Sequence, residues 1–212
     1  MPQAKSNNAF YQKLNDMGNE LNNNVSNNIN DLNTSIQNLM NAFSNSSLNP
    51  NDVAARQSII DKANDFMNQS NKINDNLNTI SSSISTEKNS ILQEANTDVE
   101  SLSKIMQNKT SDELSTGSSY LSKVYDLSEK IGIQISNDYK SIYLTNGKSL
   151  ISNGQFGSNI EDKDITSDSN GKLGALTNFQ NGLLNDTQKK FNEFVDGFSN
   201  SINTQLNNGF DQ

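Results

Sequence analysis

The sequence predicts a mainly α protein: long antiparallel helices forming an elongated, coiled-coil-like bundle with a small β-hairpin or meander. Three observations carry this reading. Apolar residues recur at threes and fours over most of the chain, the spacing of one helix face. Leu, Ile, Val and Phe supply only 49 of 212 residues, about 23%. That is above the roughly 20% below which chains stay disordered, yet too little for a thick core. The remaining polarity is amide and hydroxyl rather than charge, with 38 Asn and 30 Ser. So few apolar side chains can fold a chain only if they are concentrated in narrow stripes, and long helices paired along one seam do that.

The first stripe is Leu14, Leu21, Val25, Ile29, Leu32, Ile36, Leu39 and Phe43. Its start is not placed, because Gly18 interrupts it. Residues 44–49 read as a break. A second helix then opens with Asn49 as cap, Pro50 in the first helical position and Asp52 at the positive end of the dipole. Its seam runs through Ile59, Ala63, Phe66, Ser70, Ile73, Leu77, Ile80, Ile84, Glu87, Ile91, Ala95, Val99, Leu102 and Met106. No Pro or Gly lies between Asn51 and Asn108. Such a helix is roughly 85 Å long at 1.5 Å per residue. It does not hold alone in water, so its stripe must lie on other helices. Ser70 and Glu87 interrupt the stripe and either set its register or relax its packing.

Residues 108–119 are polar, contain Gly117 and read as a turn region. A shorter helix follows, with Leu121, Val124, Leu127 and Ile131 inward, Lys130 in its last turn and Gly132 just beyond. The period then falls to two. Ile133 and Ile135 alternate with polar residues, residues 139–145 form a second segment, and Asn146-Gly147 is the strongest short hairpin signal before Leu150 and Ile151. Residues 153–171 read as loop. The last helix begins near 173–176 and carries Phe179, Leu183, Phe191, Phe194, Phe198, Ile202 and Leu206, an aromatic-rich seam. The organisation expected is 1–131 as N-terminal helices of the helical domain, 132–170 as the small hairpin and loop, and 171–212 as a helix returning onto the long one.

Composition removes several function classes. Without His or Cys, catalytic triads, thiolate chemistry and ordinary zinc sites are excluded. Arg56 is the single arginine, and no Gly-x-x-x-x-Gly-Lys-Ser/Thr loop occurs. A net charge of −8 and a pI near 4.5 argue against nucleic acid and anionic membrane partners. No basic-then-apolar leader precedes the first stripe, and no apolar run reaches membrane-spanning length. The acids Glu161, Asp162, Asp164 and Asp168 suggest calcium. However, residues 166–177 lack the first acid and the twelfth-position Glu of a calcium loop, so the patch reads as a solvated loop. Neighbouring carboxylates such as Asp98 with Glu100, or Asp112 with Glu113, do not share a helix face. The reading is therefore no catalytic residues, no metal and no cofactor.

Three stretches carry a resemblance. Asn49-Pro50 followed by Val53-Ala54-Ala55-Arg56-Gln57 opens the long helix. Asn146-Gly147-Lys148-Ser149-Leu150-Ile151-Ser152 spans the hairpin. Asn170-Gly171-Lys172-Leu173-Gly174-Ala175-Leu176, then Phe179, starts the returning helix, which closes on Asn203, Gln205, Gly209 and Asp211. Together, over roughly 32–212, they resemble the flagellar hook-associated protein 1 family, the first hook–filament junction proteins. Two departures stand out: Gly117-Ser118-Ser119-Tyr120-Leu121 replaces an Asp/Arg-rich stretch, and Asn170 replaces the first Gly of a pair.

The resemblance implies a central piece of such a protein, without its terminal helices and outer domains. It also implies a secreted, non-enzymatic subunit of the bacterial flagellum, exported by the flagellar type III apparatus. Its implied partners are copies of itself in a ring layer, the hook protein, the second junction protein and, for the full-length protein, a flagellar export chaperone. Two rivals share the helical stripes. A pore-forming toxin needs a continuous apolar tongue, which Asn137, Asp138, Lys140, Asn146 and Lys148 interrupt. A generic coiled-coil adhesin has no reason to carry the Gly-Lys-Leu-Gly-Ala-Leu start.

Overall fold

Nearly all of the chain's first half falls into two helices because its apolar positions keep step with 3.6 residues per turn.

 In the computed structural model, which describes residues 2–210, α1 runs Pro2–Leu48 and α2 Val53–Met106, 47 and 54 residues. Two short helices follow, α3 (Ser111–Thr116) and α4 (Ser118–Lys130). Next comes an antiparallel four-stranded sheet in the order β1 (Ile133–Ile135), β2 (Ile142–Leu144), β3 (Ser149–Ser152) and β4 (Gln155–Phe156). The chain closes with α5 (Gly171–Phe179), one π-helical turn (Gln180–Leu184) and α6 (Asn185–Phe210). This is the mainly α architecture with a small antiparallel sheet that the stripes predict. Among the described residues, no helix is long and apolar enough to cross a membrane.

The α2 seam holds as read. Ile59, Phe66, Ile73, Leu77, Ile80, Ile84, Ile91, Ala95, Val99, Leu102 and Met106 are all buried, and each fully buried aliphatic side chain contributes about 1.5–3 kcal/mol. The α1 seam sits differently. Its buried residues are Ala9, Met17, Leu21, Val25, Leu32, Leu39 and Ala42, with Ser6 and Ser35 on the same line. Ile29 is 44% exposed, so Ile29, Ile36 and Phe43 flank the seam, and Ser35 and Ala42 occupy the inward places. Helix α1 also begins well before Gly18. A Cβ added at Gly18 would meet nothing, so this glycine lies off the packed face and costs only its propensity, about 1 kcal/mol.

The break at 44–49 is shorter than expected, because α1 continues to Leu48. Asp52, not Asn49, caps α2: its Oδ1 accepts from the Ala54 N–H at 2.8 Å. Pro50 lies in the preceding turn, where the Asp52 N–H donates to the Asn49 carbonyl.

The chain folds as two compact units. One comprises Asn19–Ser81 with Leu184 onward. Here α1 and α2 are antiparallel: the Asn76 side chain donates to the Asn24 carbonyl, while Phe43 and Ile59 line a common groove. Helix α6 runs back along α2, with the Phe66 and Phe198 rings 4.6 Å apart and Gln188 bonded to Asn78.

The other unit comprises the stretch to Gly18 with Ser82–Leu183. In it, the expected turn at 108–119 contains α3, started by a capping box in which Thr110 and Glu113 bond each other's backbone N–H. The region expected as one hairpin is a four-stranded meander. Asn146-Gly147 forms a longer turn: only Gly147 has positive φ (89°), its N–H bonds the Leu144 carbonyl, and the Leu144 N–H bonds the Lys148 carbonyl. The two-residue turn is Asn153-Gly154, where φ is 51° and 75°. Positive φ at both central residues is what a tight hairpin between right-twisted strands requires.

The last helix starts at Gly171, two residues before the expected start. Its π turn inserts one residue into the helical phase. After Phe179, the residue that returns to the core is Leu184, not Leu183, which is 53% exposed.

Candidate assembly surfaces

The residues that sequence reading set aside as weak site candidates are structural. Three of the four acids of 161–168 pair with lysines. Asp162 pairs with Lys88 at 3.0 Å, Glu161 with Lys163 at 2.6 Å, and Asp164 with Lys148. Asp168 is exposed. Among the described residues, no group of three or more acids converges as a metal cage would. Burial raises the Asp164 pKa, but the Lys148 ammonium, the Glu161 N–H and nearby Lys163 outweigh it and hold the carboxyl below the usual range.

This clip between β3's approach and the 162–164 turn predicts an acid effect. Its contribution is present above the ordinary carboxylate pKa of about 3.9 and is lost as pH falls through the lowered folded value. The melting midpoint of the protein should exceed that of Asp164→Asn at pH 7, and the gap should shrink below about pH 4. A gap that does not change with pH would contradict this.

The two interruptions of the α2 seam are also explained. Ser70 is buried and returns its hydroxyl to the Phe66 carbonyl at 2.9 Å, within its own helix. Glu87 reaches Lys13 at 2.6 Å. Lys13 is itself a seam position of α1, so the pair forms a polar layer in an otherwise apolar stripe, a device that fixes register.

Sequence reading dismissed Asp98 as one of a carboxylate pair and overlooked Asn96. Asp98 is buried and accepts from Lys123 at 2.8 Å and Lys130 at 2.6 Å, tying α2 to the middle and the C-terminal end of α4. Asp98's hydrogen bond and charge raise the Lys123 pKa. The signal was its spacing: Asp98 lies three residues after Ala95 and four before Leu102, on the inward face. Asn96 clamps the loop after the sheet, donating to the Ile160 carbonyl at 3.0 Å and accepting from the Ile160 N–H at 2.7 Å. Nothing in its sequence context marked it.

The glycines of the returning helix show why its start is so specific. Gly171 has φ +77°, and a Cβ there would lie 2.7 Å from the Ile131 nitrogen. A Cβ on Gly174 would lie 1.8 Å from the Ser169 carbonyl oxygen. Asn170, which replaces a glycine, has ordinary extended backbone (φ −93°), and its carbonyl accepts from the Gly132 N–H. The motif is therefore a close backbone docking of α5 against the end of α4.

Outward faces are amide and hydroxyl. Many of these side chains turn back onto their own helix, as Asn24, Asn28, Thr34, Thr79 and Ser101 do onto carbonyls one turn earlier. Such back-bonding satisfies the groups locally and leaves a hydrated surface.

The sequence model of the family described as flagellar hook-associated protein FlgK helical domain matches residues 18–160 and 152–212. The chain belongs to this family. Among solved structures, the flagellar hook junction protein FlgK from Burkholderia pseudomallei has the same fold, with a TM-score of 0.69 and 17% identity. The match covers 84% of this chain and 38% of that one, so the chain spans well under half the length of that FlgK. Comparison with curated protein sequences gives no match. The FlgK helical-domain match takes in the α2 start, the meander and the α5 docking motif. Asp211, the last residue of the closing motif, lies outside the described residues.

Proposed function

We propose that the protein is a structural, non-catalytic subunit of the bacterial flagellum, joining the hook to the filament. The observation that carries this is the FlgK helical-domain match over 18–160 and 152–212. In this reading, copies pack side by side in a ring layer, with the hook protein on one side and the second junction protein on the other. The full-length protein reaches the site through the flagellar type III apparatus with an export chaperone, and works outside the cell. The hydrated Asn- and Ser-rich helix faces support wet, adjustable subunit contacts, which carry affinity without a large apolar patch. Deleting the gene in the source organism should stop filament growth and spill flagellin monomers into the medium, with the hook retained. Filaments of normal length in the deletion strain would overturn the proposal.

A further inference from the structure

The unit built from Asn19–Ser81 and Leu184 onward contains an open groove of 690 Å³ between the end of α1, the start of α2 and the end of α6. Its apolar walls are Met40, Phe43, Ile59, Phe198, Ile202 and Leu206. Met40 is 54% exposed, so the groove is not filled by its own lining. Arg56, the chain's single arginine, stands half-buried in the wall. Among the described residues, its guanidinium meets no ion-pair or hydrogen-bond partner, and no acid lines the groove. The acids nearest in sequence are engaged elsewhere: Asp52 caps α2 and Asp61 accepts from Gln57. In a chain of net charge −8, a lone cation facing an apolar channel is a specific arrangement.

We propose that this groove docks an amphipathic α-helix of a partner polypeptide, whose apolar stripe fills the channel and whose single flanking carboxylate meets Arg56. Two features select this occupant. The walls are three helices, and all four strands belong to the other unit, so the mode is a helix laid in a groove rather than a strand added to an edge. The planar guanidinium fork, half-buried in the groove wall, suits a two-point bond to a carboxylate. The remaining acids of the unit disfavour a helix carrying many carboxylates, so one acid beside the stripe is the best match.

The test uses fluorescence anisotropy with a labelled synthetic helix of about eighteen residues, bearing Leu at i, i+3, i+4 and i+7 and one Glu beside them. A twin peptide carries Gln in place of that Glu. The Glu peptide should bind saturably, and exchanging Glu for Gln should weaken binding about tenfold. Arg56→Gln, which removes no bond of the free protein, should weaken the Glu peptide by the same factor and leave the Gln peptide unchanged. Ile202→Glu should abolish binding of both peptides, with helicity by circular dichroism retained in each variant. Four results would overturn the proposal: no binding of either peptide, equal affinity for the two peptides, indifference to Ile202→Glu, or concentration-dependent self-association of the chain lost in Arg56→Gln. The last would assign the groove to a second copy.

Discussion

Replacing Gly174 by Ala is expected to destabilise the protein by about 3 kcal/mol, the upper end of what overpacking a tight site costs. The added methyl would stand 1.8 Å from the Ser169 carbonyl oxygen. That atom is backbone and cannot swing aside as a flexible side chain could. Relief would need the 166–170 turn to lift, and that turn presents Asn170 to Gly132 and fixes the entry of α5. For a chain of this size, the loss corresponds to a fall of roughly 6–12 °C in melting midpoint. Gly197→Ala is the matched control. Gly197 lies within α6 and an added Cβ meets nothing, so this change should stabilise by about 0.4–1 kcal/mol. Equal effects of the two substitutions would contradict the docking account of the Gly-x-x-Gly motif.

The second large effect is expected at Phe179. Its ring is 1% exposed, whereas Phe194 is 44% exposed. Phe179→Ala should cost about 3–5 kcal/mol, since it removes the transfer energy of a whole ring and leaves a cavity. Phe194→Ala should cost under about 1 kcal/mol, because its ring, stacked on Phe198 at 6.0 Å, is already partly in water. Urea denaturation of both variants measures the difference. Comparable losses would mean that the aromatic stripe is one continuous core line, as spacing alone suggests, and that the π turn does not divide it.

Those residues also show what the sequence made legible. The α2 stripe could be read almost residue by residue, because a helix of this length repeats its signal over many turns and single interruptions do not hide it. The α1 seam was displaced, since serine and alanine serve as inward residues there and carry no hydropathy signal. The π turn left no mark in periodicity: one inserted residue shifts the phase, and the apolar pair Leu183-Leu184 fits either setting. Asn146-Gly147 was read as the hairpin turn and Asn153-Gly154 as loop, yet it is Asn153-Gly154 that has both residues at positive φ, a difference set by strand register rather than by the dipeptide. The Thr110-x-x-Glu113 box was present in the sequence, but the polar run around it masked the short helix it starts. The lysine-held acids show the same limit. Their number suggested a cation site, and the lysines that pair with Asp162 and Asp164, Lys88 and Lys148, lie too far away in sequence for any local pattern to show.

The central claim is that this helical unit belongs to a subunit at the boundary of hook and filament. Immunogold labelling of intact flagella with antibodies raised against the chain tests it most directly. The account predicts gold confined to a single position, at the junction between the curved hook and the filament. Label spread along the filament, or found on the cell body with flagella unmarked, would contradict it.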